Sequence, residues 1–452
     1  MTFLFPAPID LSPLLEPYQS FGVNLGLERI QQLLYRLGNP HHQVPIVHVA
    51  GTNGKGSVCA YLSSVLNHAG YRVGRYTSPH LVSWCERIQL NGVFISPDDL
   101  QTLIQETIAK IQPSDPTPTV FEVVTAAAWL YFAQQQVDVA VMEVGLGGRL
   151  DATNVSDRPL ATVITSISRE HWQVLGSTLG AIAGEKAGIL KPGCPAIVGE
   201  LLPEAKSVVE ERIRSLNCPV TWVKSATPCL GASPAESAEP LQWLQYESQI
   251  YPIPLQGSVQ YLNSALAIAT LNTLKNQGWH LDDRAIQEGM AATQWPGRLQ
   301  WTTWHGAALL LDGAHNPAAA VRLREYLDQL DQPHSRRSLL DPITWIMGML
   351  STKEHSAIFQ ALLRPNDRLH LVPVPDHSSA DPQELAALAR SLQPDLADCQ
   401  THDNLFTALN LALPSHHQPK SCTVLCGSLY LLGYFSRESE KRFLGECSAP
   451  LS

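Results

Sequence analysis

Short apolar runs bounded by Gly, Pro or Asn alternate along this chain with longer stretches in which apolar residues return every three or four positions. The first kind reads as buried strand and the second as amphipathic helix, so their alternation marks parallel strands joined by helical crossovers. Strands are expected at Pro45–Ala50, Tyr71–Thr77, Val137–Val144, Ala161–Ile167, Pro195–Val198 and Pro219–Val223. Helices are expected at Val58–Ala69, Pro97–Ile111, Phe121–Gln136 and Leu179–Leu190. The fold class is α/β, a doubly wound and mostly parallel sheet. The aromatics of the third helix, Trp129, Tyr131 and Phe132, read as core.

The rhythm pauses twice. Ala226–Pro240 is rich in Ala, Ser and Pro without periodicity and reads as a surface excursion. At Trp295-Pro296-Gly297-Arg298 the pattern stops, then restarts with strands at Ala307–Leu311, Thr344–Met347, Leu369–Val372 and Thr423–Leu425. Two domains are therefore expected, residues 1–296 and a smaller, Rossmann-like α/β domain at 297–452, the second within the usual size range. No internal repeat is visible.

Composition narrows the function classes. A formal charge of −10 argues against a nucleic-acid surface, which needs clustered Lys and Arg. Anionic substrates must then be met by a local positive pocket. The nine cysteines include no CxxC pair and read as reduced core residues of a cytoplasmic protein. No apolar run approaches the roughly 20 residues that span a bilayer. The opening MTFLFPAPIDLSP, broken by prolines and lacking a basic start, is unlike a secretory signal.

The chemistry begins where the strand IVHVA runs into Gly51-Thr52-Asn53-Gly54-Lys55-Gly56-Ser57 and then into a helical stretch ending on Gly70. Glycines let backbone N–H groups turn toward a phosphate, a helix N-terminus adds its positive end, and Lys55 supplies a mobile charge for the β and γ phosphates. Ser57 stands where a hydroxyl can approach a metal or phosphate. The standard spacing is not met: Val49 occupies the first glycine position and Gly56 intervenes before Ser57. A glycine-rich turn carrying a surface lysine is the other reading, but strand, glycines, lysine and helix in order favour a P-loop-type nucleotide site. Further along, Glu143 closes the strand VDVAVM and opens a glycine-rich turn, so its carboxylate lies at the carboxyl end of a central parallel strand, where α/β sheets hold ligands. That position suits a magnesium ligand, since Mg²⁺ takes few hard oxygens from protein and the rest from water and phosphates. Capping the turn is the alternative role. Lys186, in the helical stretch TLGAIAGEKAGILK, needs a partner such as Glu185 or a phosphate. Arg87 and Arg149 are candidate carboxylate partners or ordinary exposed arginines.

GTNGKGS resembles the phosphate loop of folylpolyglutamate and dihydrofolate synthases, relatives of the murein ligases. Thr77-Ser78-Pro79-His80-Leu81, Met142 to Asn154 (MEVGLGGRLDATN), Gly184 to Ile189 (GEKAGI) and Leu311 to Pro317 (LDGAHNP) follow in that family's order, so the resemblance runs from about residue 20 to 435. It implies an ATP-dependent ligase that activates a carboxylate as an acyl phosphate and joins it to the amine of L-glutamate, the acceptor being dihydropteroate or a folate. It also implies one or two Mg²⁺ ions held by Ser78, Glu143 and His171, and a carbamylated Lys186. Lys55, Glu143, His171 and Lys186 would be catalytic. Asn263, Arg298 and Asp312 would contact the nucleotide together with the loop residues 51–57. His80, with the Glu86-Arg87-Ile88 segment, would face the folate, and His315 would meet the incoming glutamate. Where the family has Asp before the metal-site histidine, this chain has Glu170.

Two rival readings remain at this point. Most murein peptide ligases carry a domain of about 100 residues before the loop, whereas 50 residues precede Gly51 here, which favours the folate branch. A nucleotide-binding regulator would not need Glu143, His171 and Lys186 together. The expected partners are small molecules, with neither nucleic acid nor membrane, and the chain is expected to act as a monomer.

Overall fold

In the computed structural model, which describes residues 5–19, 24–229, 241–330, 342–413 and 422–447, Ile46–Ala50 is buried at every position and forms strand β1. An interior parallel strand needs apolar residues on both faces, which is why this segment does not alternate. It lies inside an eight-stranded sheet with β2 (Val73–Tyr76), β3 (Ile88–Leu90), β4 (Val93–Phe94), β5 (Val139–Glu143), β6 (Ala161–Ile164), β7 (Ala196–Val198) and β8 (Val220–Trp222). The order is β4-β3-β2-β5-β1-β6-β7-β8, and all neighbours are parallel except β2–β3 and β3–β4. Register sets up the site: Val49 pairs with Glu143 and Ala50 with Ile164, so three strands end side by side at their carboxyl ends.

The helix Lys55–His68 packs its buried residues, among them Val58, Leu62 and Leu66, on this sheet, and begins three residues before the expected Val58. Val120–Gln134 buries Trp129 and Phe132 completely, with Tyr131 packed at the edge of the same core. Each fully buried ring of the Phe class contributes about 1.5–3 kcal/mol of transfer free energy. Strand β6 stops at Ile164 and not at Ile167, because the residues after it turn to meet the phosphate loop. A small antiparallel sheet of β9 (Thr227–Pro228), β10 (Gln242–Tyr246) and β11 (Gln249–Ile253) follows. The start of the expected surface excursion is therefore strand, while 230–240 lies outside the described residues.

A second sheet contains β12 (Gln300–Trp304), β13 (Ala307–Leu311), β14 (Thr344–Met347), β15 (Arg368–Leu371), β16 (Asp398–Thr401) and β17 (Thr423–Cys426), in the order β12-β13-β17-β14-β15-β16. Only β12 runs antiparallel to its neighbour. By contacts the chain divides into one unit of Met1–Pro254 with Val259–Trp295 and another of Leu255–Ser258 with Pro296–Ser452. Each has its own apolar core. The eight cysteines with described side chains are free thiols; Cys447 is not among them. No helix among the described residues is long and apolar enough to cross a membrane.

Candidate active site

The first helical turn after β1 is left open. Gly54 is its N-cap, in the left-handed region at φ 91°, with no side chain capping the turn. The N–H groups of Lys55, Gly56 and Ser57 thus have no partner within the helix and add to its positive end, an anion-binding arrangement. Gly54 is required twice over, by its φ and because a Cβ there would collide with Asn263 Oδ1. Asn263 in turn donates to Gln260 Oε1 at 3.2 Å, and Gln260 reaches Ser57 Oγ at 3.4 Å. The helix Val259–Asn276 therefore buttresses the loop from one side.

From the other side comes the segment after β6. Thr52 N–H donates to Ser166 O at 2.7 Å, and Asn53 N–H to Ser166 Oγ at 3.1 Å. Thr165 and Ser166 hydroxyls donate to Asn53 O at 2.7 and 3.0 Å, and Thr52 Oγ1 bonds Ser168 O and N. The backbone N–H groups of Thr52 and Asn53 thus serve the 165–168 segment, and the open donors are those from Lys55 onward. The hydroxyl run Thr165-Ser166-Ile167-Ser168 at a central strand end was the sequence signal for this support, and periodicity alone reads it as more strand.

Two lysines meet at one carbonyl. Lys55 Nζ donates to Gly51 O at 3.2 Å and Thr52 O at 3.1 Å, while Lys186 Nζ donates to the same Gly51 O at 2.7 Å. Lys186 is 4% exposed, on the helix Leu179–Ala187. Burial, then the charge of Lys55, push its ammonium down to about 7, against attraction from Glu170 and Asp151. Glu185 is not its partner: that carboxylate takes Arg149 at 2.9 and 3.1 Å. Arg149 thereby pins the glycine turn to this helix, the carboxylate it meets here being Glu185.

Glu143, 5% exposed at the end of β5, accepts from the Ser78 N–H at 3.3 Å. The carboxylate thus sits beside Ser78 as the resemblance implies. His171 follows the 165–168 segment, in the left-handed region at φ 50°, as N-cap of the short helix Trp172–Leu175. Among the described residues no group of three or more His, Cys, Asp or Glu could hold a metal. A single buried carboxylate at the end of β5, the strand paired with the one that leads into the loop 51–57, fits Mg²⁺, which takes few protein oxygens and draws the rest from nucleotide and water.

Behind Glu143 the turn residues 144–154 are fixed by a buried network. Asp151 accepts from Leu146 N–H at 2.8 Å, Thr153 N–H at 3.0 Å and the Thr153 hydroxyl at 2.5 Å. His48, inside β1, lies 2.9 Å from Thr153 Oγ1. Since that hydroxyl gives its proton to Asp151, His48 Nε2 is the donor to Thr153. Burial, then Lys191, push His48 down to about 3, so it is neutral.

The loop after β2 forms a stiff ring. Glu86 accepts from the N–H groups of Leu81, Val82 and Ser83 at 2.6–3.0 Å. Arg87 Nε donates to His80 Nδ1 at 2.9 Å, and its guanidinium covers the Trp84 ring at 4.4 Å. Arg87 and His80 therefore come together, and Trp84 joins them unannounced by the sequence reading. In the second unit, Asp312 accepts from Leu299 and Ala314 N–H, each at 2.9 Å, and is attracted by Arg298; burial raises its carboxyl. His315 Nδ1 lies 2.7 Å from Gly313 O, which makes it the donor and leaves Nε2 as acceptor.

Comparison with known proteins agrees with this geometry. Residues 49–271 match the Mur ligase middle domain, and 298–437 match the dihydrofolate synthetase C-terminal domain. The chain is 38% identical over 334 residues to the dihydrofolate synthase/folylpolyglutamate synthase of Bacillus subtilis, covering 72% of this chain and 77% of that one. It superposes on Mycobacterium tuberculosis folylpolyglutamate synthase complexed with ADP and AMPPCP with a TM-score of 0.80, at 30% identity, over 95% of this chain and 97% of the other. E. coli FolC in complex with DHPP and ADP gives 0.79 at 29% identity, over 95% and 97%. The chain belongs to the dihydrofolate synthase/folylpolyglutamate synthase family of the Mur ligases and is a ligase.

Proposed function

We propose that this enzyme joins L-glutamate to dihydropteroate and to folates by way of an acyl phosphate made from ATP. Lys55 at an uncapped helix end carries the reading: its ammonium rests on the Gly51 and Thr52 carbonyls beside open backbone N–H groups, where a phosphate would satisfy them together. A substrate carboxylate oxygen attacks the γ-phosphorus and ADP leaves. Glutamate's amine then attacks the acyl carbon, losing a proton, and inorganic phosphate departs as the amide forms. The chain's part is positioning and charge neutralisation. Lys55 follows the transferred group and the N–H groups of Lys55, Gly56 and Ser57 hold the phosphates. Ser78, Glu143 and His171 would hold magnesium, which supplies further charge neutralisation on the phosphates. Arg298 and Asp312 would contact the nucleotide, and His80 and Arg87 would line the folate side.

Lys186 is proposed to be carbamylated. Its enclosed amine, neutral in part near pH 7, attacks carbon dioxide; the N–C bond forms, a proton is released, and an anion replaces the cation beside Lys55. Incubation with ¹³C-bicarbonate should give a carbamate ¹³C signal that Lys186→Ala lacks. We further place the enzyme in the cytoplasm as a monomer; analytical sedimentation at one-chain mass tests the latter.

The deciding assay incubates the enzyme with Mg-ATP and glutamate, adding dihydropteroate in one arm and tetrahydrofolate in the other. Glutamate-dependent ADP release is expected in both. Its absence from both would refute the ligase reading, and its absence from one would restrict the substrate.

A further inference from the structure

Gly56 has ordinary helical backbone, so its φ does not demand glycine; its neighbour does. A Cβ at Gly56 would run into Cζ2 of Trp295 and lie 2.7 Å from Cε2. The indole edge therefore rests on the first turn of the phosphate-loop helix. The Arg75 guanidinium lies 5.3 Å from the centroid of the same ring, within cation–π reach.

Arg75 is an anomaly in its own right. It sits in β2, opposite Val141 of β5, and Nη1 donates to Ser63 Oγ at 3.3 Å, two turns along the phosphate-loop helix from Gly56. Its Nε is enclosed and has no hydrogen-bond partner. Enclosing a charged group with an unmet donor is unfavourable, and a neutral side chain would avoid it. What the guanidinium meets instead is the face of Trp295.

We infer that Arg75 and Trp295 are positioning residues for phosphoryl transfer: together they brace the phosphate-loop helix against the strand end that carries Glu143. Trp295 sets the height of the first turn through Gly56. Arg75 ties that ring to Ser63 on the same helix and to β2, where it pairs with Val141 of the strand that ends in Glu143. This inference rests on the ligase reading of the site.

The test is a cycle of variants in the glutamate-dependent ADP assay, with thermal melting as the check on folding. Trp295→Leu and Arg75→Met should each lower kcat about tenfold or more while leaving KM for glutamate within about twofold. Trp295→Phe and Arg75→Lys should recover part of the loss. Gly56→Ala should cost more than about tenfold in the parent, but under about threefold further in Trp295→Leu, where its collision partner is gone. Equal cost of Gly56→Ala in both backgrounds, or kcat unchanged in both Trp295→Leu and Arg75→Met, would overturn the brace. If Arg75→Met fails to fold, Arg75→Lys and the Gly56–Trp295 cycle decide. A parent enzyme without glutamate-dependent turnover refutes the ligase reading, which is a different result from an active parent with indifferent variants.

Discussion

Lys186 shows how one residue's environment becomes measurable. Unfolded, its amine titrates near 10.5; folded, burial and Lys55 bring it to about 7. Between those values the unfolded chain holds the extra proton, so stability rises with pH from about 7 to 10.5, and the penalty is fully present below 7. In carbonate-free buffer the unfolding free energy should climb relative to Lys186→Met by up to about 1.4 kcal/mol per pH unit in that window. A difference that does not vary with pH would remove Lys186 as the titrating group. At this scale much of the site is legible in sequence. Lys55, Glu143 and Ser57 announce themselves because their chemistry depends on local order, a strand end followed by glycines and a helix. Arg75 and Trp295 do not, because their significance arises from residues 19 and 239 positions after Gly56 in the chain being brought together at the Trp295 ring. Thr52 misleads for the same reason: its hydroxyl finds Ser168 across the sheet.

At the scale of elements, the parallel strands read correctly because burial on both faces leaves uninterrupted apolar runs. The strands that periodicity misses include the parallel edge strand β16 and the antiparallel strands, of which two hairpins carry a local signal. Asn91–Gly92 joins β3 to β4 and His305–Gly306 joins β12 to β13, each with positive φ at both residues, the two-residue turn that right-twisted hairpins favour. Strands of two or three residues fall below what alternation can register. The turn 144–154 gives the prediction of this scale. Thr153→Val removes the hydroxyl that both satisfies Asp151 and accepts from His48, leaving two buried polar groups short. A loss of about 1–3 kcal/mol in urea unfolding is expected, with Thr153→Ser close to the parent. A Thr153→Val protein as stable as the parent would show that the network does not hold the turn.

For the whole molecule, charge and site oppose each other. The chain carries −10, yet the substrates proposed for it are anions, ATP the most highly charged. Long-range attraction therefore cannot gather them, and affinity must come from the few groups enclosed around the loop, where screening is weak. Lys55 is the mobile one among these, lying over Gly51 O and Thr52 O until a phosphate displaces those contacts. A non-hydrolysable ATP analogue with magnesium, at about a hundred times its dissociation constant, should stabilise the enzyme by about 2.7 kcal/mol. Lys55→Ala should melt like the parent without nucleotide, gain little from the analogue at that concentration, and turn over at least about a thousandfold more slowly. The three readings are linked: removing one local cation leaves −11 on a chain that already repels its substrate, with nothing distant to compensate. Parent-like stabilisation by the analogue in Lys55→Ala would mean that the open helix end and magnesium suffice for binding, and that Lys55 acts only in the transfer step.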